Sequence, residues 1–486
     1  MKLRKLFCSR RPVGDAGLQA TCRGSVVPSL RTAKRLQPRD SQGFARTSMT
    51  FSFILFLVSS AMPANAISLD AALARTLERN PTILDARIRL EQAAGRRLIL
   101  RSNGLPNIRL QGLLGVQGGK RSGESNPQPF GLARGFFTYP LIDAAVPASR
   151  RRGDVEVLLA EQRLNVAVVE QLHATRIAFY AALFNDSLRE LGEAQRQRLA
   201  DNVTTQAERF QAGQSDRGAL ASARLLEQEL NPRIEDVRRG YQGALLTLAV
   251  SMGDEISSTS DLERPDGGLQ FVAGGYDLRA ETATALSRRP DLELARLLVR
   301  AAAEDQKIIE AAYYPALGAT ASGTYIPVTV HRGNGGSGNS SDNIISSEVT
   351  AGVAYTWRVV DNGQVGGRVA RARAVREMNE ISLRQLEANV SLELKRIDNN
   401  LRAIEQRWKS LNGAVASAEQ NVNVVQRTLA EGLSSQLEFR TAESSFLETR
   451  SALLSTVYQQ NVARAEWDRA TGRYFQFSKD TAENSH

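Results

Sequence analysis

The sequence predicts a mainly α-helical, internally duplicated chain that also carries membrane-type β-strands. Three observations predict it. Pro81 and Pro290 stand 209 residues apart, as do Pro106 and Pro315, in similar surroundings. Long stretches almost free of proline carry apolar residues at helix-face spacing. Shorter segments alternate apolar and polar residues with a period of two.

The repeat comes first because it decides the architecture. "ERNPTILDARIR" from Glu78 is matched by "SRRPDLELARLL" from Ser287, and "FTYPLID" (137–143) by "YTWRVVD" (355–361). One copy is expected over 67–253 and the other over 278–472, joined by a Gly/Ser/Pro-containing linker at 254–277 and followed by a tail at 473–486. The offset widens between Tyr325 and Ser347, where "HRGNGGSGNSSDN" reads as a surface loop.

Each copy has two strand-like segments. Val349, Ala351, Val353, Tyr355, Trp357 and Val359 alternate with smaller or polar residues, and so do Leu317, Ala319, Ala321, Gly323 and Tyr325. Ile108, Leu110, Leu114 and Val116, then Phe137, Tyr139 and Leu141, are the weaker counterparts in the first copy. Such a pattern suits a strand with one lipid face and one wet face, although a single strand of this kind, taken alone, reads more readily as part of an ordinary half-buried hairpin. Four strands cannot close a barrel, for which about eight are needed. An open sheet in lipid would leave unpaired edges. A symmetric oligomer with a shared barrel resolves this.

The remainder reads as helix. Expected helices at 82–103 and 216–252 together match the length of one at 154–212, and 291–312 with 435–471 match 372–431. Two short helices stacked end to end thus equal one long helix of about 90 Å. Narrow apolar seams and many small residues suit rods packed side by side.

Charge and cysteine usage exclude several classes. Eleven Lys/Arg and two acids put +9 on residues 1–66, so the other 420 residues carry only +1 of the net +10. That balance disfavours a nucleic-acid partner. The apolar run from Phe51 and the Ala64-Asn65-Ala66 close read as a secretory signal cleaved after Ala66, with Met49 as the expected start and 1–48 an upstream extension. Both cysteines, Cys8 and Cys22, fall in this leader, so the mature chain has no thiol for disulfides, catalysis or metal binding.

The "NP" and "RPD" openings, "LPNIRLQG" and "YPALGATAS" leading into strands, and "RFQAGQSDRGALASAR" at a helical turn resemble the TolC-type outer-membrane efflux proteins over about 67–472. The resemblance implies a homotrimer whose twelve-stranded barrel, four strands per chain, lies in outer-membrane lipid and continues into a periplasmic α-helical barrel. It also implies an exit duct of a tripartite efflux pump, with a periplasmic adaptor and an inner-membrane transporter as partners. A protein-secretion duct shares this pattern. A periplasmic coiled-coil scaffold is the rival of another class.

No catalytic constellation, metal-ligand cluster or cofactor motif is apparent. His173, His331 and His486 are scattered, and the Gly-rich 333–338 tract lacks a following Lys-Ser/Thr. Gly213 and Gly432 stand where helices must reverse, a place for positive φ. By resemblance these turns are the adaptor-docking tips, matched at Arg209, Phe210, Gly213 and Leu220 and again at Leu429, Gly432, Ser435 and Leu437. The resemblance also makes Glu438 and Glu443 candidate acids of a periplasmic gate, where three carboxylates around a pore would repel one another and attract cations, while the plainer reading of either is a solvated acid on a helix surface. Thr441 stands where the family often has a further acid, next to Arg440. Loops 118–131 and 329–346 are expected on the extracellular side.

Overall fold

The structure is a computed structural model that describes residues 66–117, 128–255, 262–332 and 340–474. Its elements run β1 (Ala66–Ile67), α1 (Leu69–Arg79), α2 (Pro81–Ser102), β2 (Asn107–Gln117), β3 (Gln128–Ile142), α3 (Ala145–Gln211), α4 (Arg217–Met252), β4 (Arg264–Pro265), α5 (Leu278–Arg288), α6 (Pro290–Glu310), a 3-10 turn (Ala311–Tyr313), β5 (Ala316–Arg332), β6 (Ser340–Thr356), α7 (Gln364–Glu431) and α8 (Gln436–Ala470). Apart from β1 and β4, which pair in parallel, the same order of elements occurs twice.

The long helices begin earlier than the sequence suggests, α3 at Ala145 rather than 154 and α7 at Gln364 rather than 372. Matching aspartates start them. Asp143 accepts from the Ala145 amide at 2.8 Å, and Asp361 accepts from the Val365 amide at 2.6 Å. Pro147 does not oppose this, because a proline in the first helical turn lacks only an amide that has no intrahelical partner. At 67 and 68 residues, each helix is about 100 Å long.

β2, β3, β5 and β6 form one antiparallel sheet in that order, leaving β2 and β6 as edges. The strands run further than expected. β3 covers residues 128–131, and β5 and β6 take in 329–332 and 340–346 from the predicted loops. The rest of those loops, 118–127 and 333–339, lies outside the described residues. Residues 262–277 of the linker are also more closely packed than its composition implies. Gln460 donates to the Val272 carbonyl and accepts from its amide, and Phe271 stacks on Trp408 with ring centroids 4.1 Å apart, so the strap is held on α7 and α8.

The helices form a row. α3 packs on α2 and α4 on one side and on α6 and α8 on the other, with α7 packed beyond α6 and α8. Two equivalent cores hold each repeat near its joint. Phe179, Leu183, Leu245 and Leu248 form the first, and Leu292, Val390, Leu394 and Trp467 the second. A third core joins α3, α4, α7 and α8 toward the helical turns through Leu199, Leu230, Val422 and Phe439. Nearer the sheet, Arg151–Glu304 and Arg152–Asp305 ion pairs, each 2.9 Å, tie the two repeats together. Burial would raise the Glu304 carboxyl, but Lys307 and Arg151 outweigh it and hold the group below its ordinary range.

Candidate functional site

The sheet separates two chemistries. Strand register places Leu110 beside Gly135, Gly323 and Val349, and Ile108 beside Phe137, Ala321 and Ala351. The predicted apolar sets of the four strands therefore share one face, except for Leu141, which falls at a bulge before Ile142, and Trp357 and Val359, which follow the end of β6. The opposite face carries Arg109, Gln111, Arg134, Thr320, Ser322, Thr324, Glu348 and Thr350. Ile108, Leu110, Leu114, Val349 and Val353 are exposed, a band that a water-facing sheet would bury.

Aromatic side chains bound that band. Tyr139, Tyr313, Tyr314, Tyr355 and Trp357 lie where the sheet meets the helices, and the Trp357 indole donates to the Tyr313 carbonyl at 3.2 Å. Tyr325 lies eight residues along β5 from Leu317, the partner of Tyr355. Eight residues of strand span about 27 Å. A tilt of roughly 40° brings this to about 20 Å, near the height of an outer-membrane apolar band flanked by aromatic girdles.

At the far end of the helices, α3–α4 and α7–α8 turn through glycines with φ of 72° at Gly213 and 82° at Gly432. The side chains of Asp216 and Ser435 cap the returning helices, accepting from the amides of Ala219 and Glu438. Arg209 braces one turn against the other, donating to the carbonyls of Leu429 at 2.6 Å and Ala430 at 3.0 Å. Its guanidinium lies where a side chain on Gly432 would project, and the positive φ there favours glycine.

The predicted tip residues divide by environment. Leu220 and Leu429 are buried, and Ser435 is spent on its cap. Phe210 and Leu437 are exposed, at 42% and 72%, and beside them Leu433 is 76% exposed. Leu433 did not stand out in the sequence. Its signal was an apolar residue directly after the turn glycine, where a polar one costs nothing.

The two predicted gate acids both have partners within the chain. Glu438 completes a capping box, accepting from the Ser435 amide at 3.0 Å. Glu443 is 2% exposed and faces Arg198 of α3, whose Nη2 donates at 2.8 Å and whose Nε lies 3.2 Å from both carboxylate oxygens. Next to this pair, Asn202 and Gln436 donate to each other at 3.1 and 3.3 Å. The α3–α8 contact near the turns therefore sets a polar cluster beside the apolar core of Leu199 and Phe439. Arg198 lies 245 residues from Glu443, a pairing that no local pattern announces.

Among the described residues no group of three or more His, Cys, Asp or Glu is placed to hold a metal. No described helix is long and apolar enough to cross a membrane. An amphipathic sheet with a lipid-type face, continued by a row of long helices, defines a membrane β-sheet protein with a helical extension. Residues 282–473 match the family described as outer membrane efflux protein. The whole described fold is that of the outer-membrane efflux channels. VceC of Vibrio cholerae is 18% identical with a TM-score of 0.68, over 83% of this chain and 96% of that one. The Campylobacter jejuni CmeC outer membrane channel is 15% identical with a TM-score of 0.71, over 86% and 88%. The open state of the Neisseria gonorrhoeae MtrE outer membrane channel is 17% identical with a TM-score of 0.65, over 83% and 88%. No curated protein sequence matches the chain.

Proposed function

We propose that three copies of the chain close a twelve-stranded barrel in the outer membrane and a helical barrel in the periplasm, forming the exit duct of a tripartite efflux pump for small molecules. The observation that carries this reading is where the unpartnered edges lie. The sheet ends at β2 and β6 and the helical row ends at α2 and α7, and β2 follows α2 while β6 leads into α7. Both layers are open on the same two sides. Apolar side chains wait there, with Ile88, Leu98 and Ile99 exposed on α2 and Met378, Ile381 and Leu392 exposed on α7. Joining α7 and β6 of one copy to α2 and β2 of the next pairs the free strand edges and covers these side chains together.

On this reading the turns at Gly213 and Gly432 point into the periplasm and receive the adaptor, which an inner-membrane transporter supplies with cargo. Phe210, Leu433 and Leu437 are the exposed apolar contacts, while Arg209 and the two glycines shape the turns. The gate then works through the acids' partners. Moving α8 away from α3 breaks Arg198–Glu443 and Asn202–Gln436, so these contacts hold the tip closed, and the Glu438 cap keeps the first turn of α8 rigid. Cells that depend on this chain to export a fluorescent small molecule provide the test. Leu433→Asp with Leu437→Asp is expected to abolish export while the protein still extracts from the outer membrane with detergent. Undiminished export would contradict docking at the tip.

A further inference from the structure

Away from the strand ends that carry Arg332 and Asp342, the charged residues of the sheet are Arg109 on β2, Arg134 on β3 and Glu348 on β6, and register puts all three on the polar face. Arg109 is opposite Phe136 and Arg134 is opposite Gln111, so the two arginines are diagonal neighbours on adjacent strands. Such neighbours have Cα atoms about 7–8 Å apart. Both are exposed, and the residues directly opposite them, Phe136, Gln111 and Thr324, carry no charge. Glu348 is opposite Thr324, itself opposite Arg134, so two strand spacings of about 10 Å in total separate the acid from that arginine. At that distance salt screens much of its effect.

Two like charges side by side repel and would be relieved by an anion between them. A guanidinium offers a planar fork of donors that suits carboxylate, sulfonate or phosphate. We infer that the wet face of this sheet recruits anions, and that the duct favours small organic anions, or zwitterions presenting an acidic group, as its cargo. This rests on the duct reading, under which the polar face lines the lumen and every added copy contributes a further net positive charge. A ring of fixed charge in a low-dielectric wall raises the local concentration of the opposite sign.

The test uses the mature chain, which has no cysteine of its own. Leu113 is on the polar face, opposite Leu132, diagonal to Arg134 and 56% exposed. Leu113→Cys is therefore a reporter beside the arginines that reagents reach from the extracellular mouth, whatever the state of the tip. Reaction rates with an anionic sulfonatoethyl and a cationic trimethylammonioethyl methanethiosulfonate are measured in outer-membrane vesicles, each normalised to a small free thiol. A local potential of about one kT changes their ratio roughly sevenfold. The anionic reagent is expected to lead several-fold, the lead to disappear with Arg109→Gln and Arg134→Gln, and to grow with Glu348→Gln. A faster cationic reagent, or a ratio unmoved by the arginine substitutions, overturns the anion inference and leaves the duct intact. If Leu113→Cys is inert to both reagents while Leu114→Cys on the other face reacts, the sheet is turned the other way, and the duct reading falls with the inference.

Discussion

In the first repeat, Asn80 makes the joint between α2 and the end of α4. Its side-chain oxygen caps α2 by accepting from the Thr82 amide at 2.9 Å, and its nitrogen donates to the Ser251 carbonyl at 2.8 Å and to Gln171 of α3 at 3.1 Å. In the second repeat the same position is Arg289. Its guanidinium donates to the Ala470 carbonyl at 3.3 Å, to Glu393 of α7 at 2.6 Å and to Asp291 at 2.8 Å. Arginine has no acceptor for the helix start. Asp291, at the position of Thr82, supplies one by accepting from the Leu292 amide at 3.0 Å. One amide performs in the first repeat what an ion-paired group performs in the second. The duplication preserved the geometry of the joint, while its chemistry was free to change.

The largest expected contrast comes from removing each joint. Arg289→Ala leaves Asp291 without its cation, while Glu393 keeps only Arg469 at 2.6 Å, which should cost about 2–3 kcal/mol once their partial exposure is allowed for. Asn80→Ala loses a cap and two hydrogen bonds, about 1–2 kcal/mol. Thermal midpoints of the detergent-purified variants should fall in that order, and an equal or reversed loss would show that the charged joint is no stronger than the neutral one.

A smaller contrast is expected at the paired stop glycines. Gly253 (φ 80°) and Gly472 (φ 73°) end α4 and α8 in the left-handed conformation. A Cβ on Gly253 would sit 2.6 Å from the Arg79 carbonyl oxygen, whereas one on Gly472 would be 3.3 Å from Arg288. Left-handed backbone alone costs alanine about 1–2 kcal/mol, so Gly472→Ala should lose about that much. Gly253→Ala should lose about 1 kcal/mol more, as its clash is with backbone. Similar midpoints for the two would mean that the first joint can shift to make room.

The smallest effect is a difference in acid response. Burial would raise the Asp291 carboxyl, but the Arg289 guanidinium outweighs it and holds the group below the usual carboxylate range. A folded value below the unfolded one contributes stability that is present above about pH 4 and lost as pH falls through the depressed value. The first joint has no titrating group. The gap in thermal midpoint between the parent and Arg289→Ala should therefore hold from pH 7 to about 5 and narrow below 4, while the gap for Asn80→Ala stays constant.

The periodic features were readable in sequence. The strand faces, the matched prolines and the stacking of two short helices against one long helix all follow from spacing that a single segment displays. The starts of α3 and α7 were misplaced because the side-chain hydrogen bonds by which Asp143 and Asp361 begin these helices leave no mark in the apolar spacing. The tip was harder. Leu220 and Leu429 share the composition of exposed turn residues but pack inward, and Glu443 meets Arg198 only because α3 and α8 lie side by side. Contacts between distant segments leave no trace in local pattern. Arg109 and Arg134 were visible as the polar members of their strands, but only register placed them together.

The central claim is that this chain cannot close its sheet or its helical row alone. The most direct test is the native mass of the protein extracted from outer membranes, corrected for bound detergent. The account predicts the mass of three chains. A monomer, or a protein released without detergent, would leave β2 and β6 unpaired and contradict it.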